Sequence, residues 1–397
     1  MIMKELPKIV LKSGKDQSLR RYHPWVFSGA IKKIYGQPAD GGWVEVYDNK
    51  DEKLATGHYQ EGSIAVRAFA FGAETITENF WHQRIQQAWD LRRRFGPALR
   101  DDTNIFRLVN AEGDGLPGFI ADYYGGALVL QMHSTGIQRH LAEITDALKQ
   151  LEGLPVDTIY NKSAHTLPGK VREEFTNHYL MGDRPEGEGM EYGTRFHINW
   201  EKGQKTGFFI DQRENRSLLE SYARDRRVLN MFCFSGGFSV YALRGGADRV
   251  DSVDSSAHAM DLTEKNIARN FEDTSRHHSI TADAFTFLEE MNDPYDLVIL
   301  DPPAFAKHHK VVSNAVQGYK RLNQKALEKI RPGGILFTFS CSQAVSRENF
   351  KKSLFAASAN AGRKVRILHQ LYQPADHPVS IYHPEGEYLK GFVLQVE

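Results

Sequence analysis

The stretch Val228-Leu229-Asn230-Met231-Phe232-Cys233-Phe234-Ser235-Gly236-Gly237-Phe238-Ser239 decides the architecture of the C-terminal half. A short apolar run ends in a loop with two adjacent glycines and then gives way to residues that open a helix. That order describes a strand–loop–helix unit whose backbone can come close to a ligand. Outward from it, apolar strands are expected at 227–232, 249–254, 279–283, 295–301, 335–340, 365–371 and 391–396. Helices are expected to begin near Phe238, Ser256, Ala284, Val316 and Arg347. Apolar strands alternating with helices are the pattern of a parallel sheet covered on both faces, so the fold class is α/β. Seven strands ending in a hairpin exceed the six usual in a dinucleotide-binding domain.

Three successive strands of this unit close on acidic residues, Asp254, Asp283 and Asp301, the last followed by Pro302-Pro303. Open α/β sheets bind ligands in the crevice outside the carboxyl ends of their strands, so these side chains fall where a ligand would lie. The loop departs from G-x-G-x-x-G. Without the third glycine a nicotinamide dinucleotide, whose pyrophosphate would sit on the helix N-terminus, is disfavoured. Each feature has a plain structural use, the glycines as a turn and a strand-end Asp as an N-cap. Their combination in one register points to a site.

The chain has 397 residues, 41% hydrophobic and 25% charged, which is ordinary globular composition with room for two or three domains. Lys plus Arg equals Asp plus Glu at 50 each, so the formal net charge is zero and any contact with a polyanion must come from local patches. Residues 1–10 lack the uninterrupted apolar stretch of a signal peptide, and no later run reaches membrane-spanning length. A cytoplasmic protein with no membrane partner is expected. Two cysteines, Cys233 and Cys341, fit a reducing compartment, and no metal centre is expected.

Upstream, short alternating segments separated by Gly and Asp turns make residues 1–75 a β-rich module. A helix from Thr77 to Phe95, stopped by Gly96-Pro97, opens an α+β unit over 76–187, with a further helix near 137–151. The α/β unit occupies 188–397. The first module mixes cations with aromatics around Arg20, Arg21, His23 and Trp25, a composition suited to phosphates and stacked bases. Arg92-Arg93-Arg94 and the run Lys307-His308-His309-Lys310 are further basic patches, and the second follows Asp301-Pro302-Pro303 directly.

The opening stretch, together with Asp301-Pro302-Pro303-Ala304-Phe305, Thr338-Phe339-Ser340-Cys341-Ser342, Ala375-Asp376-His377-Pro378 and Gly386-Glu387-Tyr388-Leu389-Lys390-Gly391-Phe392, resembles the RlmI-type ribosomal RNA large subunit methyltransferases over nearly the whole chain. Leu19-Arg20-Arg21-Tyr22-His23-Pro24-Trp25-Val26-Phe27 resembles a PUA domain. The resemblance implies a C-terminal Rossmann-like, seven-stranded methyltransferase domain behind a PUA-like domain and a small α+β middle domain. It implies S-adenosylmethionine as cofactor, held by Phe232, Ser235, Gly236, Gly237, Asp254, Asp283, Ala284 and Asp301. Asp254 would accept the ribose hydroxyls, and the Asp283-Ala284-Phe285 turn would read and cover the adenine. Asp211, Gln212 and Arg213, in a segment resembling the family's cover over the cofactor, would contact its amino-acid end, with Arg213 pairing to the carboxylate.

The resemblance further implies methylation at carbon 5 of a cytosine in 23S rRNA, either free or in an assembling large subunit. That carbon is a poor nucleophile until a thiolate adds to carbon 6 and breaks the aromaticity. Cys341, at the end of the fifth strand, would be that nucleophile, and Asp301 on the neighbouring strand would hydrogen-bond the base. Many RNA cytosine-5 methyltransferases carry a second Cys after the prolines; here that position is Ala304. Cys233 is assigned to packing. Arg20, Arg21, His23, Trp25, Lys307 and Lys310 are the expected RNA contacts. A methyltransferase of the same fold acting on a guanine nitrogen needs no thiol, and a catalytically silent RNA-binding protein needs no intact loop. Self-association into a homodimer stays open.

Overall fold

The computed structural model describes residues 6–305 and 312–397, so Lys307 and Lys310 lie outside the described residues. The chain forms two compact units. One runs to Met190 and includes Ile198–Gly207 and Ala375–Gly386; the other comprises Glu191–His197, Phe208–Pro374 and Glu387–Glu397. Among the described residues no helix is long and apolar enough to cross a membrane.

The second unit is built on seven strands: β1 (Arg227–Met231), β2 (Arg249–Asp254), β3 (His277–Thr281), β4 (Leu297–Leu300), β5 (Ile335–Ser340), β6 (Val365–Leu371) and β7 (Lys390–Val396). Their order across the sheet is β3-β2-β1-β4-β5-β7-β6. β1 to β5 run parallel, whereas β7 is antiparallel to both β5 and β6. The order reverses between β1 and β4, which opens a crevice at their carboxyl ends. Every residue of β4 and β5 is buried, as expected for central strands covered on both faces. Helices α1 (Arg213–Glu220), α2 (Gly237–Arg244), α3 (Ala257–Asn270), α4 (Ala284–Glu290), α5 (Val312–Lys329) and α6 (Arg347–Asn360) supply the covering layers. Leu300, Tyr319, Leu322, Phe350 and Phe392 belong to one buried cluster beneath them.

Three elements of this unit differ from expectation, β4 among them at 297–300 rather than 295–301. β3 spans 277–281 rather than 279–283, because its polar start is satisfied inside the sheet: Ser252 Oγ and His277 Nε2 lie 2.8 Å apart. α5 begins at Val312 rather than near Val316.

The first unit holds a six-stranded sheet between Lys8 and Phe71 and a five-stranded sheet between Ile105 and Met181. The expected helix runs from Phe80 to Phe95, and the one expected near 137–151 is broken into Thr135–Arg139 and Leu141–Lys149. Phe69, from the first sheet, lies in the same buried cluster as Phe80, Trp81, Phe106 and Phe119. The stretches read as separate modules, 1–75 and 76–187, therefore share an apolar core and fall within one unit.

Arg92, read from sequence as part of a basic surface patch, is fully buried. Its guanidinium donates to both carboxylate oxygens of Asp114, at 2.5 and 2.8 Å, and to the carbonyls of Arg107 and Asp376, each at 2.8 Å. Removing one partner of a buried pair strands the other charge. Arg92→Ala is therefore expected to lose about 3–5 kcal/mol of stability, seen as a lower urea midpoint. The exposed Arg93, bonded to Asp90, is a control: Arg93→Ala should change stability by less than about 0.5 kcal/mol.

Candidate active site

The loop after β1 is held in a conformation that few sequences adopt. Phe232 and Phe234 have φ of 59° and 49°, and Gly236 has φ of 73°. A Cβ on Gly236 would stand 2.6 Å from Thr263 Cγ2, so both the backbone angle and the approach of α3 require glycine there. A Cβ on Gly237 would stand 3.0 Å from Arg216 Cδ. The two strained phenylalanines persist because the surroundings fix them. Asp254 Oδ2 accepts from the Phe234 amide at 3.1 Å, and Thr263 Oγ1 donates to the Phe234 carbonyl at 2.9 Å. Asn266 Nδ2 donates to the carbonyl of the buried Ser235 at 2.8 Å. Cys233 is buried inside this loop, and burial pushes its thiol up, which suits packing rather than chemistry.

The carboxylates at the strand ends differ in what they do. Asp254 accepts from two backbone amides, that of Phe234 and that of Ser256 at 3.0 Å, so it braces the loop from the crevice side. Asp283 lies two residues beyond β3 and is exposed. Its Oδ1 caps α4, accepting from the amides of Phe285 and Thr286 at 3.0 Å each. Ala284, beside it, is buried. Asp301 follows β4 directly and accepts from Gln212 Nε2 at 3.0 Å. Gln212 in turn accepts from Asn215 Nδ2 at 2.6 Å, and Asp211 accepts from the Tyr388 hydroxyl at 2.7 Å. The fold thus joins Gln212 to the strand-end Asp301 and ties Asp211 to the segment before β7.

Arg213 is buried 3.7 Å from Glu191, a residue that carried no signal in the sequence. Glu191 also receives both arms of Arg216, at 2.8 and 2.7 Å, and the Tyr241 hydroxyl at 3.0 Å. Two guanidiniums thus converge on one buried carboxylate.

Cys341 leaves the end of β5 half-buried, with Sγ 3.8 Å from the carbonyl oxygen of Pro302. The next residue, Ser342, has its hydroxyl 2.9 Å from the Tyr319 hydroxyl, and its carbonyl accepts from Lys390 Nζ at 2.7 Å. Sequence reasoning named neither Tyr319 nor Lys390 as part of the site.

In the first unit the expected RNA contacts separate into two kinds. Arg20 donates to Asp16 at 2.6 Å and to Asp48 and Glu52 at 2.8 Å each, so its charge is shared among three carboxylates. Trp25 donates from Nε1 to Glu112 at 2.9 Å and packs edge-on against His383, ring centres 4.4 Å apart. Arg21 is exposed. Tyr22, Phe27 and Tyr35 are exposed nearby in sequence, and Lys33 Nζ sits 4.4 Å over the Tyr35 ring. His23, His383 and Glu385 bring three metal-capable groups within 4.8 Å of one another. The Trp25 amide donates to His23 Nδ1 at 3.2 Å, however, so the neutral ring carries its proton on Nε2, the atom facing Glu385 at 3.4 Å. A proton rather than a lone pair then points into the cluster, which argues for a hydrogen bond there and against a cation.

Gly236→Ala is expected to destabilise the protein by about 1–3 kcal/mol in thermal unfolding, since alanine would sit in the left-handed region against Thr263. Adding Thr263→Ser, which removes the clashing methyl, should recover part of that loss.

Residues 107–380 match the S-adenosylmethionine-dependent methyltransferase family, and residues 9–71 match the PUA-like domain. The chain is 37% identical to ribosomal RNA large subunit methyltransferase I of Enterobacter sp. (strain 638), covering 98% of this chain and 99% of that protein. It is also 37% identical to the protein of that name in Klebsiella pneumoniae (strain 342), with 98% of each covered. Among solved structures, a chain described as a SAM-dependent methyltransferase from Streptococcus mutans superposes with a TM-score of 0.84 at 23% identity, covering 98% of this chain and 99% of that one. A second methyltransferase structure, complexed with SAH, gives a TM-score of 0.85 at 24% identity over the same shares. The chain belongs to the S-adenosylmethionine-dependent methyltransferase family, in the group of the ribosomal RNA large subunit methyltransferase I proteins.

Proposed function

We propose that this cytoplasmic enzyme methylates carbon 5 of a cytosine in large-subunit ribosomal RNA, with Cys341 as the covalent nucleophile. The observation that carries the reading is the thiol at the carboxyl end of β5, 3.8 Å from Pro302 and one strand away from Asp301. A half-buried thiol among strand-end polar groups is where a reaction that must first break aromaticity needs it.

The residues around the crevice fit S-adenosylmethionine. The tight Gly236-Gly237 turn gives close backbone access, and Asp254 retains lone pairs beyond its two amide contacts for ribose hydroxyls. Arg213, a buried guanidinium beside Glu191, is the group suited to the cofactor's carboxylate. When bound, the cofactor supplies an electrophilic methyl on a sulfonium. Cys341 thiolate adds to carbon 6, and the resulting enamine carbon 5 takes up the methyl. Loss of the carbon-5 proton then expels the thiolate. Asp301, oriented by Gln212, would hold a protonated ring nitrogen of the base, whose positive charge draws electrons from carbon 6. RNA affinity is assigned to Arg21, Lys32 and Lys33 with the exposed rings of Tyr22, Phe27 and Tyr35, a pairing of cations and stacking surfaces.

Cys341→Ala should retain S-adenosylmethionine affinity in a calorimetric titration yet lose turnover by at least about a thousandfold, as expected for removal of a covalent nucleophile. Substrate RNA bearing 5-fluorocytosine should trap the wild type as a denaturation-resistant adduct, because fluorine cannot leave as a proton, and should leave Cys341→Ala untrapped. Near-normal turnover by Cys341→Ala would refute the mechanism.

A further inference from the structure

Lys390 opens β7 and is only 3% exposed. A buried ammonium is unfavourable unless something in its surroundings compensates the charge, so its presence at a strand end asks for a reason. Its ammonium donates to a neutral group, the Ser342 carbonyl at 2.7 Å, so compensation of the charge falls to anions nearby. The register supplies a partner. β7 runs antiparallel to β5 with Lys390 opposite Ser340, so the first residue of one strand meets the last of the other. Cys341 is the residue between that register partner and Ser342, to which the ammonium is anchored.

We propose that Lys390 is a positioning residue whose buried ammonium stabilises Cys341 as the thiolate. The proposal rests on the reading of Cys341 as nucleophile and adds what activates it. The thiol releases its proton to solvent, and the sulfur's electron pair, held opposite the ammonium, forms the bond to carbon 6. When the carbon-5 proton leaves, the electrons of the carbon–sulfur bond return to sulfur, again facing the cation.

The charges around the pair favour this arrangement. Burial pushes the Lys390 ammonium down to about 8, Cys341 and Glu387 hold it up, and Arg347 at the start of α6 pushes it down. Tyr319, reaching in from α5, is kept protonated mainly by burial, with Cys341 adding to the effect, so it offers a neutral hydroxyl and not a competing anion. Asp301, at the end of β4, carries the nearby negative charge, which Gln212 engages through its amide. The sign follows: Lys390 moves formation of the thiolate to lower pH, and the benefit fades as pH rises past the point where the ammonium itself deprotonates.

The test is the rate of alkylation of Cys341 by iodoacetamide in the full-length protein, followed by mass spectrometry against pH. Cys233, buried with its thiol pushed up, is the internal control and should stay unmodified. In the wild type the midpoint should lie below the ordinary thiol value of about 8.5. In Lys390→Met it should rise by at least one unit, a drop of about tenfold in rate at neutral pH. Lys390→Arg, which keeps a charge, should restore much of the lower midpoint. A wild-type midpoint at or above the ordinary value overturns the proposal whether or not the variants fold, as does an unmoved midpoint in folded Lys390→Met. The two readings fail separately. An active Cys341→Ala would refute the nucleophile while leaving the alkylation shift standing, and an unmoved midpoint with inactive Cys341→Ala would refute only Lys390.

Discussion

β5 is hydrogen-bonded along both edges, parallel to β4 on one side and antiparallel to β7 on the other. That double pairing is the constraint from which the site follows. The parallel pairing brings the carboxyl ends of β4 and β5 level, so Asp301 and Cys341 emerge at the same edge of the sheet. The antiparallel pairing brings the start of β7 to the same edge, so Lys390 arrives from a segment far along the chain. A one-residue slip of β7 would turn its side chains to the opposite face and remove the cation from the thiol. Register, more than the properties of any one side chain, holds the chemistry together.

Buried charge is handled in a consistent manner in both units. Arg92 is matched by Asp114, with three carbonyls taking its remaining donors. Arg213 and Arg216 converge on Glu191. Lys390 has a carbonyl anchor and a neighbouring thiol. The first case is closed and structural.

The sheet was legible because central parallel strands such as 335–340 read as continuous apolar runs, and five of the seven expected strands differ from the observed ones by at most a residue. β3 escaped by two residues, since His277 is polar in sequence yet paired with Ser252 in the sheet. The motifs around Asp301 and Cys341 put both residues at strand ends, where the structure has them. The burial of Arg92 was not legible, because its carboxylate partner at position 114 is distant in sequence and a surface cation looks the same as a paired one. Glu191 and Lys390 carried no periodic or motif signal of a buried charge, even though Lys390 lies inside a stretch whose resemblance was plain. Only the fold reveals which neighbours such residues acquire.

The central claim is that the thiol at the end of β5 directs the methyl group to carbon. The most direct measurement is to incubate the enzyme with large-subunit ribosomal RNA and S-adenosylmethionine carrying an isotopically labelled methyl, digest the RNA to nucleosides, and identify the labelled species by mass spectrometry. The account predicts that the label resides in 5-methylcytidine. Label found instead in a guanosine methylated on nitrogen would contradict it, because that reaction needs neither Cys341 nor the cation beside it.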